Sequence, residues 1–415
     1  MSAYIIEGGR PLEGSVRAHG AKNSVLPILA ACLLAPGECV IRNCPERSDV
    51  AASLDILRRL GCRAERQGDA VVVDASAPER WDVPDRLMRE MRSSVIFLGA
   101  ILGRMGRAEL SAPGGCELGP RPIDLHLAAI RALGGRITEE GGRLRAEGPL
   151  RGAEIVLSLP SVGATENAML AAVSAHGDTT ITNAAREPEI VDLQNFLNTL
   201  GADVRGAGSS VITVRGGAPL HGGEYTVMGD RIVAATYLAA AASAGGEIQL
   251  TGVDWRHLST VTAVLREAGC AVESRAASIR LGCRGPLRGV PPVRTAPYPG
   301  FPTDAQAPLM AVMARSSGCT VFVENIFESR YRHVDELTRM GADIRVEGRV
   351  AVVYGVPRLH GAKVQAADLR GGAALVVAAL GAEGRTAVSG VRHIDRGYQS
   401  LEGDLSALGA SIRRI

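Results

Sequence analysis

Aromatic residues make up only 3% of this 415-residue chain, and its 46 Lys+Arg are almost balanced by 44 Asp+Glu, leaving a formal net charge of +2. With no basic excess to neutralise a phosphate backbone and no stacking surface for unpaired bases, nucleic acid is not expected as a partner. Long hydrophobic runs are also missing. The longest apolar stretch, Ser24 to Ala35, is interrupted by Pro27 and falls well short of the ~20 residues that span a bilayer, so no membrane partner is expected. The opening Met1-Ser2-Ala3-Tyr4-Ile5-Ile6-Glu7 has neither a basic n-region nor an apolar h-region. No secretory signal is read there, and the expected location is cytoplasmic. The cysteines, at 32, 39, 44, 62, 116, 270, 283 and 319, are sparse, and none is spaced as CxxC or grouped with His at metal-ligand intervals. They are expected to be reduced and mostly buried as small apolar side chains, with no metal bound.

What is present is an ordinary globular balance, 46% hydrophobic and 22% charged despite 50 glycines. Such a chain can bury a substantial interior, and its length suggests two or three domains at ~100–200 residues each. One phrase recurs six times: Arg59-Leu60-Gly61-Cys62, Ala132-Leu133-Gly134-Gly135, Thr199-Leu200-Gly201-Ala202, Glu267-Ala268-Gly269-Cys270, Arg339-Met340-Gly341-Ala342 and Ala407-Leu408-Gly409-Ala410. Each follows an amphipathic run such as Val50–Leu60 and precedes a β-rich run such as Ala70–Asp74, which makes its glycine a helix C′ residue. Ala-rich helices ending in short Gly-to-strand phrases, such as Gly177 to Thr182 and Gly384 to Val388, stand upstream in most repeats. One repeat therefore reads as strand, helix, strand, helix, hairpin. Six repeats exceed a single sheet and group as two α/β domains of three repeats each. The last repeat stops at Ile412 to Ile415 without its second hairpin strand, whereas Tyr4 to Gly14 has that pattern at the other end. The expectation is a catalytic-loop domain over residues 21–229 and a discontinuous one over 1–20 and 230–415. The two crossings near 21 and 229 would suit a hinged cleft.

Candidate chemistry gathers at loops and helix starts. Ser111 to Pro122 holds three glycines and three prolines, which forbid a regular element, and places Cys116 in a surface loop beside Arg121. At an ordinary thiol pKa of ~8.5, Cys116 would be largely protonated at neutral pH, able to give a proton as well as to attack. Lys22 and Asn23 precede the first apolar helix, Arg92 opens its counterpart in the second repeat, and Ser161-Val162-Gly163 opens that of the third. Thr303-Asp304 and Asp368 begin those of the fifth and sixth. Helix N-termini bearing such groups could line a polyanion site, although plain N-capping equally explains Ser161, Thr303 and Asp304. Arg330 and Arg396 fall in matching strand-to-helix loops suited to carboxylate or phosphate contacts, or else to surface ion pairs with Glu328 and Asp395.

Together these segments resemble the enolpyruvyl transferase family. The likeness spans essentially the whole chain. It rests on Gly20-Ala21-Lys22-Asn23, Pro113-Gly114-Gly115-Cys116, Gly119-Pro120-Arg121-Pro122-Ile123-Asp124-Leu125-His126, Pro302-Thr303-Asp304-Ala305-Gln306 and His393-Ile394-Asp395-Arg396-Gly397-Tyr398. The implied fold is a two-domain inside-out α/β barrel with six βαβαββ-type repeats, three per domain. Cys116 argues for the sugar-nucleotide branch over the shikimate branch, which lacks a catalytic loop cysteine. The implied activity is transfer of the enolpyruvyl group of phosphoenolpyruvate to the 3-hydroxyl of UDP-N-acetylglucosamine, with release of phosphate, at the start of peptidoglycan synthesis.

By the same resemblance Lys22, Arg121 and Arg396 would clamp phosphoenolpyruvate, Cys116 would protonate its C3, and Asp304 would take the proton of the sugar hydroxyl. Asn23, Arg92, Arg121, Pro122, Ile123, Asp124, Leu125, Ser161, Val162, Gly163, Asp304 and Ile326 would hold the UDP-sugar, and Arg330 and Asp368 would support closure. No cofactor or metal is implied, and oligomeric state is not readable. Ser329 stands where many members have Asn, Gly371-Gly372 replaces the more usual Ala/Ser, and Pro160 precedes Ser161. The alternatives are an enolpyruvyl transferase with another acceptor and a non-catalytic UDP-sugar-binding paralogue.

Overall fold

The computed structural model of the chain describes residues 2–111 and 123–415, and Arg92 by its backbone alone. Two compact units result, an N-terminal one from the described residues between 20 and 228, and a C-terminal one formed by residues 2–19 and 229–415. Each contains three of the six four-stranded sheets. All six share one topology. In the third repeat Glu154–Val156 pairs in parallel with Asp178–Thr182, which pairs antiparallel with Val211–Arg215, whose other edge takes Asp203–Arg205. With the helices Val162–Val173 and Pro188–Thr199 between the strands, this repeat is βαβαββ. In the sixth, the inner hairpin strand comes from the chain start. Ala3–Glu7 lies antiparallel between Arg385–Ser389 and Ser411–Arg414. The first and fourth repeats likewise borrow their leading strands: Gly223–Thr226 pairs in parallel with Glu38–Arg42, and Leu12–Arg17 with Gly246–Thr251.

The glycine of the recurring phrase ends the outer helix of every repeat. Gly61, Gly134, Gly201, Gly269, Gly341 and Gly409 all have φ between 86° and 109°, where a Cβ would be strained and only glycine turns the chain into the next strand without cost. The amphipathic outer helices bury one face, whereas the inner helix of each repeat is apolar nearly all round. We label these α1 (Lys22–Cys32), α2 (Phe97–Met105), α3 (Val162–Val173), α4 (Arg231–Ala244), α5 (Thr303–Met313) and α6 (Leu369–Gly381). Ten consecutive residues of α3 and thirteen of α4 are buried, so these helices form the interior and the sheets the outside.

Small side chains let the inner helices approach closely. A Cβ on Gly99 of α2 would stand 2.4 Å from the Asn167 carbonyl oxygen of α3. The implied barrels are inside-out in this sense, but the sheets do not close on one another: among the described residues each is a separate four-stranded sheet. Their outer strands, such as Arg136–Glu140 (RITEE) and Asp343–Glu347 (DIRVE), are rich in charge, which discourages further pairing at an edge. Six cysteines are buried, as a small apolar residue should be, but Cys319 is exposed at the start of its strand. Among the described cysteines the expectation of mostly buried thiols holds, with Cys319 the exception.

Candidate functional site

In the C-terminal unit the starts of α4, α5 and α6 carry Asp230 and Arg231, Asp304, and Asp368 and Arg370. Asp304, in the first turn of α5, is flanked by two arginines that are themselves buried. Arg330 donates to Asp304 Oδ1 at 2.5 Å and to the Thr303 carbonyl at 3.2 Å. Arg370 donates from Nε to Asp304 Oδ2 at 3.2 Å and from a terminal nitrogen to the Tyr398 hydroxyl at 3.1 Å. That hydroxyl lies 2.7 Å from Thr236 Oγ1 on α4. Burial opposes the charge on Arg370, but the Tyr398 oxygen, Asp304 and Asp230 outweigh it and hold its pKa above the ordinary guanidinium value. Two charge-assisted contacts fix the Asp304 carboxylate while 27% of its side chain remains exposed. A carboxylate so held can accept a proton from a ligand hydroxyl.

The loop that carries Ile326 and Arg330 is shaped by Glu324, which is 1% exposed. Its Oε1 accepts the Thr295 hydroxyl at 3.0 Å and the Ile326 and Phe327 N–H groups at 2.8 and 3.0 Å, while Oε2 accepts the Thr303 hydroxyl at 2.9 Å. One buried carboxylate thus ties that loop to the first residue of α5. Ile326 itself is 38% exposed. Asp368 caps α6, its Oδ1 accepting the Arg370 and Gly371 N–H groups at 3.0 and 2.9 Å. Arg396 follows the short helix Val391–Asp395 and is half-buried, unlike Arg330. Of the acidic residues considered from sequence, Glu328 meets Arg349 at 3.5 Å and Asp395 meets Arg414 at 2.6 Å.

In the N-terminal unit Lys22 is the first residue of α1, and its Nζ lies 3.2 Å from Asp49 Oδ2, with 15% and 3% of the two side chains exposed. Asn23 beside it is exposed. Ser24, next in the helix, donates to Asp192, which also accepts the Tyr225 hydroxyl at 2.6 Å and the Met228 N–H at 3.2 Å. Burial pushes the Asp192 carboxyl up, against the pull of those three hydrogen bonds. Arg92 opens a 3₁₀ stretch, Arg92–Ile96, that runs into α2. Ser161 caps α3, accepting the Ala164 N–H at 3.4 Å, and Val162 and Gly163 form its first turn.

Ile123 precedes the helix Asp124–Ala132, which begins with Asp124 and Leu125. His126 of that helix accepts at Nδ1 from Asn167 at 2.7 Å, and its ring leaves no room for a side chain at Gly163, whose Cβ would stand 2.9 Å away. Burial pushes the His126 pKa down to about 4, with Asp124 opposing. Cys116, Arg121 and Pro122 lie outside the described residues. The structure brings Asp304, Arg330 and Asp368 together around Arg370; from sequence, Arg370, Glu324 and Asp49 are not singled out, and Tyr398 stands only as the last residue of a motif. An Arg two residues after an Asp that opens an otherwise apolar helix was the available signal for Arg370. Glu324, at the end of a β-strand, carried none. Among the described residues no group of three His, Cys, Asp or Glu could hold a metal ion.

A family model described as EPSP synthase (3-phosphoshikimate 1-carboxyvinyltransferase) matches residues 6–405, and the chain belongs to this family of enolpyruvyl transferases. The solved structure of the enolpyruvyl transferase NikO from Streptomyces tendae superposes with a TM-score of 0.88 at 29% identity, covering 100% of this chain and 98% of that one. Within the family, the chain is 50% identical over 416 residues, all of both chains, to UDP-N-acetylglucosamine 1-carboxyvinyltransferase 2 of Caldanaerobacter subterraneus subsp. tengcongensis. It is 51% identical over 420 residues to UDP-N-acetylglucosamine 1-carboxyvinyltransferase 1 of Symbiobacterium thermophilum, covering 99% of this chain and 95% of that one.

Proposed function

We propose that this protein transfers the enolpyruvyl group of phosphoenolpyruvate to the 3-hydroxyl of UDP-N-acetylglucosamine with release of phosphate, and so serves peptidoglycan synthesis. The observation that carries the reading is end-to-end identity of 50% and 51% with relatives named for that transfer. A different acceptor is not favoured.

In this reading Lys22, Arg121 and Arg396 supply the cations that a trianionic phosphoenolpyruvate requires. Cys116 protonates its C3, and the resulting oxocarbenium-like centre is attacked by the sugar hydroxyl as Asp304 removes its proton. Loss of phosphate together with a proton from C3 of the tetrahedral ketal then restores the double bond and leaves the enolpyruvyl ether on the sugar. Asp304 suits the role because Arg330 and Arg370 hold its carboxylate in one orientation while part of it stays open to a ligand. The UDP-sugar is assigned to Asn23, Arg92, Arg121, Pro122, Ile123, Asp124, Leu125, Ser161, Val162, Gly163 and Ile326. The exposure of Asn23 and Ile326 and the partial exposure of the α3 first turn support that assignment. Arg330 and Asp368 act from behind, on Asp304 and on the start of α6. A cytoplasmic location belongs to the same reading; among the described residues no helix is long and apolar enough to cross a membrane.

The test is incubation with phosphoenolpyruvate and UDP-N-acetylglucosamine, following phosphate and the mass of the nucleotide product. Stoichiometric phosphate with an enolpyruvyl-bearing UDP-sugar is expected. Phosphate release with other acceptors but not with this one would reject the acceptor.

A further inference from the structure

Behind Asp304 the C-terminal unit holds buried polar atoms that the reaction as described leaves unused. Arg330 gives a terminal nitrogen to Asp304 and Thr303, but its Nε is buried without a hydrogen-bond partner. Asp368 commits Oδ1 to the first turn of α6, while Oδ2 is buried and unpartnered. His333, three residues after Arg330, is 3% exposed, and neither ring nitrogen is hydrogen-bonded. His333 and Asp368 adjoin at Gly371, where a Cβ would stand 2.7 Å from Asp368 Oδ2 and 2.9 Å from His333 Cβ.

The donors and acceptors here are complementary. The Arg330 Nε–H needs an acceptor, and Asp368 Oδ2 needs a donor. A neutral imidazole offers one of each, whereas an imidazolium would offer two donors and face a guanidinium. We propose that neutral His333 is a positioning residue for Asp304: one ring N–H goes to Asp368 Oδ2 and the other nitrogen accepts from Arg330 Nε–H, directly or through one water. Both arginines on Asp304 are then fixed from behind by one ring, Arg330 by contact and Arg370 through the helix turn that Asp368 caps.

The ring's surroundings agree. Burial pushes its pKa down to about 4; Asp368 opposes that, the Arg330 charge adds to it, and the Arg330 carbonyl, near the ring but outside hydrogen-bond geometry, opposes it to a lesser degree. Glu336, on the helix Val334–Arg339, is turned away to the Gln365 N–H at 3.0 Å.

The inference rests on Asp304 being the base, and its test separates the two ideas. In ¹⁵N-histidine-labelled wild-type protein, the His333 ring should show one protonated and one bare nitrogen throughout the neutral range. An imidazolium signal at neutral pH would overturn the proposal. His333→Leu should lower kcat about tenfold, leave both KM values within about twofold, and raise the acid limb of the kcat profile by about one pH unit, because an Asp304 held less firmly by Arg330 protonates more readily. His333→Gln, whose amide keeps one acceptor and a donor, should recover most of kcat and the wild-type limb.

A folded His333→Leu enzyme with an unshifted profile would overturn the proposal. So would a Gln variant as impaired as the Leu variant, and that comparison stands even if Leu prevents folding. Full activity of Asp304→Asn would instead remove the base assignment and leave the ring measurement standing.

Discussion

The two units are built from one repeat, yet they begin their inner helices differently. In the C-terminal unit α4 and α6 are capped by carboxylates, Asp230 accepting the Ile232 and Val233 N–H groups and Asp368 those of Arg370 and Gly371. In the N-terminal unit α1 follows Ala21 with no side-chain cap and α3 is capped by the neutral hydroxyl of Ser161. A capping carboxylate cancels the positive end of a helix dipole, whereas a hydroxyl or an open end leaves it available to an anion. The C-terminal unit answers its own acids with Arg330 and Arg370 and so immobilises one carboxylate. The N-terminal unit leaves the start of α1, at Lys22, without a side-chain cap. Identical topology thus carries carboxylate caps on two inner helices of one unit and a hydroxyl or no side-chain cap on two of the other, while α5, which bears Asp304, follows Pro302 with no side-chain cap.

The sharpest way to break this contrast is to remove the carboxylate that the arginines hold. Asp304→Asn is expected to lower kcat by about 10²–10⁴-fold with the fold intact; phosphate release measured alongside circular dichroism checks it. Cys116→Ser should cost about 10²-fold or more in turnover, since a hydroxyl is a far weaker acid than a thiol. Cys116→Asp should keep measurable turnover while losing covalent modification by fosfomycin, an epoxide that a loop thiol can open. Mass spectrometry decides between adduct and none.

The caps themselves can be compared by urea unfolding. Asp368→Ala is expected to cost about 2 kcal/mol, and Ser161→Ala nearer 0.5 kcal/mol, because a buried charge-assisted cap is stronger than a long hydroxyl contact. Equal losses would remove the energetic distinction between the units. The smallest expected effect concerns Glu166 on α3. Burial, with Glu189 and Glu187 adding to it, raises its carboxyl pKa well above the ordinary value. A raised folded-state pKa means that stability is full below the unfolded value and falls as pH rises toward the folded one. Glu166→Gln should therefore raise Tm by a few degrees at pH 8 and leave it unchanged at pH 4. A Tm gain at pH 4 as well would assign the effect to packing.

Much of the fold was legible because it is written by local rules. The six glycines at helix C′ positions, the Ala-rich inner helices and the β-rich hairpins gave the repeat before any contact was known. So did the orphan strand pattern at Tyr4, which supplies the hairpin strand that the sequence does not place after Ile412. The candidate site was less evenly legible. Lys22, Ser161, Asp304 and Asp368 stand at helix starts, where the sequence marks them. Arg370 and Tyr398 looked like ordinary members of a helix and a loop. Glu324 looked like the polar end of a strand, and nothing at short range shows that its carboxylate gathers Thr295, Thr303, Ile326 and Phe327.

By itself the sequence determined the periodicity of the chain, the elements in each repeat and the backbone positions that only glycine can occupy, since all of these depend on neighbours within a few residues. Tertiary structure decided which charges meet. Asp304 is 26 residues from Arg330 and 66 from Arg370, and Asp192 is 168 from Ser24. No local preference encodes such pairs. They arise because packing three apolar helices side by side brings their N-terminal turns, and the loops beside them, to one end of each unit. Once buried there, a charge is stable only against a partner, so the fold selects the constellation that the sequence merely permits.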